Sequence, residues 1–213
     1  MKQMLRRVVP AVFAVALVLL VLTVSIGLPI YLRPFYYAHI DALELDQASG
    51  FTKDQIRTAY DEVLDYLTLP DKPFGTGEIA HSQEGAAHFA DCKVLFDLNA
   101  WVLVGSALVV LGILLVRKRC KLPSLRPAAF WAGVSALTLP IVVGTLAAMD
   151  FDRAFVIFHQ IFFPGKDNWI FNYYTDPIIQ ILPQTFFMNC AILIGVGLLL
   201  LSGCLLWLGR HRK

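Results

Sequence analysis

Four stretches of the sequence contain no Asp, Glu, Lys or Arg, and each holds at least 19 residues. They are 8–32, 98–116, 127–149 and 177–209, the last with its apolar part at 185–208. A helix needs about 20 apolar residues to cross the roughly 30 Å hydrocarbon core of a bilayer, so each stretch is long enough for one span and too short for two. Charged residues make up only 16% of the chain, against about 25% in soluble domains. We therefore predict an all-α integral membrane protein with four transmembrane helices and a small helical extracellular cap.

Basic residues are concentrated in three segments: the N-terminus, the connection at 117–127 and the C-terminus. Together these segments hold 11 of the 18 Lys and Arg and none of the 16 Asp and Glu. Cytoplasmic connections of membrane proteins carry such an excess of Lys and Arg. Both termini are therefore predicted to be cytoplasmic, with His211 solvated in the basic tail, while all acidic residues and the other four histidines face outward.

The spans and their connections divide the chain into eight predicted segments. The first is interpreted as a retained signal anchor because its apolar run exceeds the usual 7–15 residues of a signal peptide. In chain order they are the signal-anchor helix 1–32, the extracellular cap 33–97, the second span 98–116, the basic cytoplasmic loop 117–127, the third span 128–149, the aromatic extracellular or interfacial loop 150–182, the fourth span 183–208 and the cytoplasmic tail 209–213.

Local signals place helices outside these spans. Thr52 and Gln55 form a capping-box pattern that predicts a cap helix over 52–67. The absence of a breaker from Gln83 onward predicts one long helix over 83–116. In the aromatic loop, Asp152 is expected to cap a short helix that stops before Pro164-Gly165, and Asp176 is expected to cap the last helix.

Glu84, His88 and Asp91 are spaced so that they share one face of the helix that enters the second span. A carboxylate beside an imidazole can fix its tautomer and raise its basicity, as general-base catalysis requires. A solvated charged face is the alternative for this pattern. Lys93 lies off that face and is expected to neutralise Asp91 or to contact lipid headgroups.

His159 lies among phenylalanines in the segment 155–163. An ionisable side chain at interfacial depth is costly unless it has a partner or a function, although a neutral imidazole bound to a backbone carbonyl is an equal alternative. Asn168 and Trp169 fit either a tight turn or a polar wall of a site. Arg153 and Lys93 are candidates for holding a lipid phosphate or stabilising an oxyanion, with headgroup anchoring as the alternative.

Several catalytic classes lack their motifs in this sequence. It contains no Gly-rich phosphate loop, no His-Glu-x-x-His and no Gly-x-Ser-x-Gly. Ser82 and Cys92 are conceivable nucleophiles without any sign of activation. His88, Asp91 and His159 are suitable metal-ligand types but lack tight ligand spacing. Transport is disfavoured because the four charge-free stretches contain no ionisable Asp, Glu, Lys, Arg or His.

Two extended motifs carry a family resemblance. They are Ser82-x-Glu84-x3-His88-Phe89-x-Asp91-x-Lys93-x2-Phe96 and Phe155-x2-Phe158-His159-x3-Phe163-x5-Trp169-x6-Asp176-x6-Pro183-x2-Phe186-Phe187. With the order of four spans, they resemble the lipoprotein intramolecular transacylase (Lit) family of monoderm bacteria. The chain departs from the family pattern at Gln83, where a basic residue is expected, at Cys92, where an aliphatic residue is expected, and at Gly85 near the helix start.

The resemblance implies a reaction and a pair of functional residues. The sn-2 acyl chain of an S-diacylglyceryl cysteine would move to that cysteine's own α-amino group and give a lyso-form lipoprotein, with His88 and His159 as the catalytic pair. We hypothesise His88, oriented by Glu84 or Asp91, as the base for the amine and His159 as the acid for the leaving oxygen, or the reverse. The expected partners are diacylated bacterial lipoproteins and membrane lipid, with no cofactor, metal, nucleotide or nucleic acid.

Two other classes of function remain open at this stage. A metal-dependent membrane hydrolase would lose activity with a chelator and release free fatty acid. A non-enzymatic membrane sensor or assembly protein would tolerate neutral replacements at both histidines. In all three cases the protein is expected to be a multi-pass protein of the cytoplasmic membrane, with its functional residues facing the extracellular side.

Overall fold

The computed structural model describes residues 2–117, 119 and 123–210. Within these residues the structure consists of helices and connecting loops without a strand, which confirms the all-α class. The basic residues Lys118 and Lys121 and the tail residue His211 lie outside the described residues. The α-helices are α1 Lys2–Tyr31, α2 Arg33–Ala42, α3 Leu45–Ser49, α4 Lys53–Thr68, α5 Gln83–Arg117, α6 Arg126–Met149, α7 Phe151–Phe162 and α8 Gln184–Gly209, and a 3₁₀ helix covers Pro177–Ile181.

Three helices of the described residues are long and apolar enough to cross a membrane. They are Arg7–Tyr31 within α1, Gln83–Arg117 and Gln184–Gly209, with mean hydropathies of 2.8, 2.3 and 2.5 over their most apolar windows. In α5 the charged side chains before Arg117 end at Asp97, so the charge-free part of this helix begins at Leu98. The predicted third span, 128–149, lies within α6, which contains Pro140. The count of four spans stays a prediction.

The chain divides into two compact units that alternate along the sequence. One comprises Met1–Leu28, Asn99–Ala148 and Ile192–Lys213, and the other Pro29–Leu98 and Met149–Ala191. We call the first the helical unit and the second the cap unit. All residues of the candidate site described below belong to the cap unit.

Small residues bring the helices of the helical unit into close contact. A Cβ placed on Gly133 of α6 would lie 2.9 Å from the backbone oxygen of Ser202 in α8. Phe13 and Leu17 of α1 form a buried cluster with Ala128 and Ala132 of α6. Lipid tails are as apolar as these side chains, so such close van der Waals packing is what holds helices together in a bilayer.

The cap unit has a hydrophobic core built around stacked aromatic rings. Tyr36 of α2 and Tyr60 of α4 stack with ring centroids 3.6 Å apart, and the Tyr36 hydroxyl donates a hydrogen bond to the carbonyl of Ile181 at 2.7 Å. Arg33 forms ion pairs with Asp61, at 2.9 Å, and with Asp65. The hydrogen bond of Tyr36 satisfies its only polar group inside the core.

Two predicted helices of the cap unit are confirmed. Helix α4 begins after Thr52, whose side chain accepts from the Gln55 backbone N–H while the Gln55 side chain accepts from the Thr52 N–H. These two bonds satisfy N–H groups that have no partner within the helix itself. The predicted long helix from Gln83 is also continuous and ends at Arg117.

Two predicted helix caps are wrong. The cap of α7 is Asp150, whose side chain accepts from the Arg153 N–H at 2.9 Å, whereas Asp152 accepts from Gln184 at 2.5 Å. Asp176 precedes the 3₁₀ helix but makes no capping bond to it. Its carboxylate points instead to another part of the cap unit, which the site geometry explains.

Candidate active site

The two predicted catalytic histidines lie side by side. His88 is on the first turns of α5 and His159 is on the last turns of α7, and their ring centroids are 5.7 Å apart. Each residue is only 6% exposed. Two imidazoles separated by 71 positions in sequence are therefore neighbours in one buried site.

Aromatic side chains form the walls around both rings. Trp169 stacks on His159 with a centroid distance of 4.6 Å and an interplanar angle of 27°. Phe163 packs edge-on against His88 at 5.0 Å, and Phe171 does so at 5.6 Å. These walls give the histidines an apolar environment in which a charged imidazolium is disfavoured.

The ring nitrogens of His159 have different roles. Its Nδ1 is 2.7 Å from the carbonyl oxygen of Phe155. Because a carbonyl only accepts hydrogen bonds, Nδ1 carries the proton and the lone pair of the neutral ring is on Nε2. That Nε2 has no hydrogen-bond partner among the described residues, so it is the ring nitrogen left for a substrate.

The ring of His88 is held differently. Its Nε2 lies 3.4 Å from the Sγ of Cys92, one helical turn further along α5. Its Nδ1 is buried and has no hydrogen-bond partner among the described residues. Neither Glu84 nor Asp91 forms a hydrogen bond to His88, so the orientation of this ring by one of these carboxylates stays a prediction and would have to act through another residue.

Burial makes both imidazoles neutral at pH 7. It lowers the pKa of His88 to about 4, with a further lowering by the neighbouring His159, against the opposing effects of Asp91 and Asn168. Burial also lowers the pKa of His159, while the hydrogen bond to the Phe155 carbonyl opposes that shift. Neutral imidazoles are the form that can accept protons from a substrate.

Asp91 connects the helix of His88 to the loop that carries Trp169. Its carboxylate forms an ion pair with Lys166 and accepts a hydrogen bond from Nδ2 of Asn168 at 3.0 Å. Burial alone would raise the pKa of Asp91, but the hydrogen bonds from Lys166 and Asn168 outweigh it and hold that pKa below its usual range. Trp169 is fixed further by its indole N–H, which donates to the Lys166 carbonyl at 3.0 Å.

Asp176 closes the same loop against the start of α5. Its Oδ1 accepts from the backbone N–H of Ser82 at 2.7 Å, and its Oδ2 accepts from the Thr175 hydroxyl at 2.7 Å. The loop approaches so closely that a Cβ on Gly85 would overlap Asp176 Oδ1 and lie 3.1 Å from Phe171 Cε1. Gly85, a departure from the expected pattern, is therefore a packing requirement in this chain.

Three predicted supporting residues lie outside this network. Glu84 and Arg153 are exposed, and their side chains form no hydrogen bond or ion pair with any residue that the structure describes. Lys93 does not pair with Asp91; its ammonium donates to the carbonyls of Tyr66 at 2.6 Å and Leu69 at 3.2 Å and so ties α5 to the end of α4. Among the described residues, no group of three or more His, Cys, Asp or Glu is arranged to hold a metal ion.

Comparisons with known proteins identify the family of the chain. A model of the family described as lipoprotein intramolecular transacylase Lit matches residues 11–187. The chain belongs to the Lit family. It is therefore an acyltransferase that acts on lipoproteins, and it is a membrane protein. No curated protein matches the sequence.

Solved structures of Lit from Bacillus cereus are similar over nearly the whole chain. The membrane integral Lit of that organism has 25% sequence identity and a TM-score of 0.87, covering 96% of this chain and 94% of its own. A variant with histidine replaced by arginine has 24% identity, a TM-score of 0.82 and coverage of 98% and 92%. A variant with histidine replaced by alanine has 24% identity, a TM-score of 0.82 and coverage of 98% and 94%.

Three residues of the candidate site were not predicted as site residues. Lys166 is the cation that pairs with Asp91, and Phe163 and Phe171 pack against the His88 ring. Lys166 directly follows Pro164-Gly165 in a predicted turn. A single basic residue at such a turn was the only feature of the sequence that could have indicated its role. Its partner, 75 positions away, could not be identified from local spacing.

The buried His88 makes the stability of the cap unit depend on pH. As the pH falls, His88 of the unfolded chain binds a proton near its ordinary pKa of about 6.5. In the folded chain His88 binds that proton only near pH 4, because its pKa is lowered to about 4. Stability is thus retained above about pH 6.5 and is lost progressively as the pH falls towards 4, with a full effect of about 3 kcal/mol. The groups facing His88 are Asp91, Cys92, His159 and Lys166.

Thermal unfolding of the purified protein in lipid nanodiscs tests this dependence. Between pH 7.5 and 5, we expect the melting temperature of the wild-type chain to fall further than that of His88→Gln, because the variant lacks the titrating ring. His159 is present in both proteins. An equal fall in both proteins would contradict the assignment of a depressed pKa to His88.

Proposed function

We propose that the chain moves the sn-2 acyl chain of an S-diacylglyceryl cysteine to the α-amino group of that same cysteine. The product is an N-acyl, S-monoacylglyceryl lipoprotein, the lyso form. The observation that carries this proposal is the pair of neutral imidazoles, with centroids 5.7 Å apart, in a member of the Lit family. In this mechanism His88 and His159 act as acid and base, and no covalent acyl-enzyme forms.

The proton balance of the reaction requires two transfers from nitrogen. The substrate amine enters as an α-ammonium with a pKa near 8, and the product amide nitrogen carries one hydrogen. One proton must leave before the nitrogen attacks the ester carbonyl, and a second leaves as the C–N bond forms. The departing glycerol oxygen takes up one proton when the C–O bond breaks. Two imidazoles can divide these transfers.

His159 is suited to the first transfer. Its Nε2 carries a lone pair without a hydrogen-bond partner among the described residues, because the ring proton is on Nδ1 and is held by the Phe155 carbonyl. When Nε2 takes the ammonium proton, that same carbonyl stabilises the imidazolium. The proton then passes to water. This assignment is the reverse of the order that the sequence favoured for the two histidines.

His88 is suited to the second transfer. Its pKa of about 4 makes protonated His88 a stronger acid than an ordinary imidazolium, so proton transfer from it to an alkoxide is favourable. Nε2 takes the proton from the nitrogen of the tetrahedral intermediate and gives it to the glycerol oxygen as that oxygen leaves. The same atom thus acts first as base and then as acid, and the ring ends neutral.

Proximity within the substrate supplies the rest of the rate enhancement. The path from the amine nitrogen through the cysteine and glycerol to the ester carbonyl closes a ring of about eight atoms, and correct positioning of such a pair contributes several kcal/mol. The aromatic side chains of Phe163, Trp169 and Phe171 line the site and limit the water that reaches the bound ester. Exclusion of water favours aminolysis of the ester over hydrolysis.

We assign supporting roles by what each side chain contacts. Asp91, Asn168 and Trp169 build the wall of the site, and Asp176 closes its loop against α5. Glu84, Lys93 and Arg153 receive no role in the reaction. The partners are diacylated lipoproteins and the surrounding membrane lipid, and the chemistry requires no cofactor, nucleotide or nucleic acid.

The proposed topology follows the charge distribution. Four spans at 1–32, 98–116, 128–149 and 183–208 place both termini in the cytoplasm and the connections 33–97 and 150–182 on the extracellular side. The segments 117–127 and 209–213 then face the cytoplasm. Both histidines belong to the extracellular connections or to the helix start next to them, at the level of the outer leaflet where a lipoprotein cysteine is anchored.

Purified protein in lipid vesicles with a synthetic diacylated lipopeptide tests the proposed reaction. An acyl transfer within one molecule leaves the mass of the lipopeptide unchanged and blocks its α-amino group to amine-reactive labels. We expect this result with no release of fatty acid and with full activity in the presence of a chelator. A lipopeptide that loses one acyl mass, with inhibition by the chelator, would support a metal-dependent hydrolase instead.

A further inference from the structure

Two buried polar atoms of the site lack a hydrogen-bond partner, and their chemistry is complementary. They are Nδ1 of His88 and Oδ1 of Asn168. A buried polar atom left unpaired costs about 1–3 kcal/mol, so native proteins contain few of them. Among the described residues the only other such side-chain atom is the Ser202 hydroxyl, in α8. Two unpaired atoms within one site call for a common explanation.

The orientation of the Asn168 amide follows from its neighbour. A carboxylate only accepts hydrogen bonds, so Asp91 must face the NH₂ group of Asn168, and the bond from Nδ2 to Asp91 is 3.0 Å long. Lys166 holds the other oxygen of Asp91. The Oδ1 atom of Asn168 is therefore turned away from Asp91 and presents an acceptor to the interior of the site.

Neutral His88 carries one ring proton. That proton can be donated to Asn168 Oδ1 only when it is on Nδ1. Burial raises the pKa of the Cys92 thiol to about 12, so the thiol keeps its proton and can donate weakly to Nε2, 3.4 Å away. The ring proton is then on Nδ1. The Asn168 side chain raises the pKa of His88, as a hydrogen-bond acceptor does. Both unpaired atoms are buried.

We propose that Asn168 is a positioning residue of the reaction: its Oδ1 accepts a hydrogen bond from Nδ1–H of His88 and fixes that ring in the tautomer with the lone pair on Nε2. Asp91, anchored by Lys166, sets the orientation of Asn168, so the carboxylate acts on the imidazole through an amide and not directly. The inference rests on the function proposed for His88. A fixed tautomer is what a proton-transferring imidazole needs, since the reactive nitrogen must be unprotonated before it can act as a base.

Replacing Asn168 with Leu removes the acceptor while keeping a side chain of similar shape. With the full chain in lipid nanodiscs, we expect the transacylation rate to fall by about 10- to 100-fold. Nitrogen NMR of histidine-labelled protein reports the tautomer directly, with the His88 signal assigned by its loss in His88→Gln. The wild-type ring is expected in the Nδ1–H form, and Asn168→Leu is expected to populate the Nε2–H form.

A pH titration of the same NMR signal separates positioning from a merely structural effect. The charged and titratable groups around His88 are Asp91 and Cys92 on its own helix, His159 on α7 and Lys166 on the loop, and all remain in Asn168→Leu. Loss of the accepting oxygen should move the titration of His88 to lower pH. Gln160→Leu, which removes an exposed amide on α7 that makes no side-chain hydrogen bond to any described residue, serves as the matched control and should leave the tautomer and the titration as in the wild type.

The outcomes distinguish this inference from the proposed function. A wild-type His88 in the Nε2–H form, or a tautomer unaffected by Asn168→Leu, would overturn the role of Asn168 even if His88→Gln is inactive. A tautomer that changes in Asn168→Leu while His88→Gln retains the full rate would support the hydrogen bond and overturn the catalytic role of His88. The wild-type tautomer is measured without any variant, so a misfolded Asn168→Leu would leave the proposal testable.

Discussion

Replacing either His88 or His159 with Ala is expected to lower the rate of lyso-form production by about 10²–10⁴-fold, the range that a positioned acid or base contributes. The loss should appear at equal amounts of purified protein in lipid vesicles, with substrate conversion followed by mass spectrometry. Each variant removes one of two proton transfers, so the double variant should be little worse than the more damaged single variant.

The matched control for these variants is His81→Ala. His81 is exposed; its Nδ1 lies 2.8 Å from the Thr76 hydroxyl, and its side chain makes no hydrogen bond to His88 or His159. We expect this variant to retain the wild-type rate. Full conversion by both His88→Ala and His159→Ala would refute the proposed acid–base pair and favour a role for the chain without histidine chemistry.

Substitution of Gly85 is expected to have the second largest effect. A Cβ there would overlap the Asp176 carboxylate, which is tied to the Ser82 N–H and the Thr175 hydroxyl, and would press on the Phe171 ring. The loop that carries Asn168 and Trp169 must then move away from α5. Because displacements of about 1 Å at a site can cost 100-fold in rate, Gly85→Ala should lower the rate by about 10²-fold.

The control for this prediction is a glycine of the same helix with free space around it. A Cβ on Gly105 would meet no atom within 4 Å, so Gly105→Ala should keep both rate and melting temperature. Tryptophan fluorescence gives an independent readout, since a displaced Trp169 loses its stacking on His159. Wild-type activity of Gly85→Ala would show that the loop contact is dispensable.

Local features of the fold were predictable because their causes are local. The capping box at Thr52 and Gln55 determines where α4 begins, and the absence of breakers determines the length of α5. Asp152 was predicted as the cap of α7 in place of Asp150. Both residues are Asp, a good capping residue, and only the backbone geometry decides which of them caps the helix. The short helices α2 and α3 were not predicted as separate elements of the cap.

The composition of the site was predictable only in part. Periodicity identified the face of His88 and Asp91, and the cost of an ionisable group among phenylalanines identified His159. The ion pair of Asp91 with Lys166 and the bond of Asp176 to Ser82 join residues 75 and 94 positions apart. Such pairs depend on the tertiary fold, which neither residue spacing nor helix propensity encodes. For the same reason the sequence could not show that Asp91 bonds to Asn168 and Lys166 and not to His88.

A crossover experiment tests the central claim most directly, namely that two neighbouring imidazoles move an acyl chain within one lipoprotein molecule. Two synthetic diacylated lipopeptides with different peptide sequences are mixed in vesicles with the full chain, and only one carries a deuterated sn-2 acyl group. Fragmentation by mass spectrometry should find the deuterated acyl group on the α-nitrogen of its own peptide alone, with both intact masses unchanged. The variant with His88→Gln and His159→Gln together should leave both acyl groups on glycerol. Deuterium on the other peptide, or an undiminished rate in the double variant, would contradict the account.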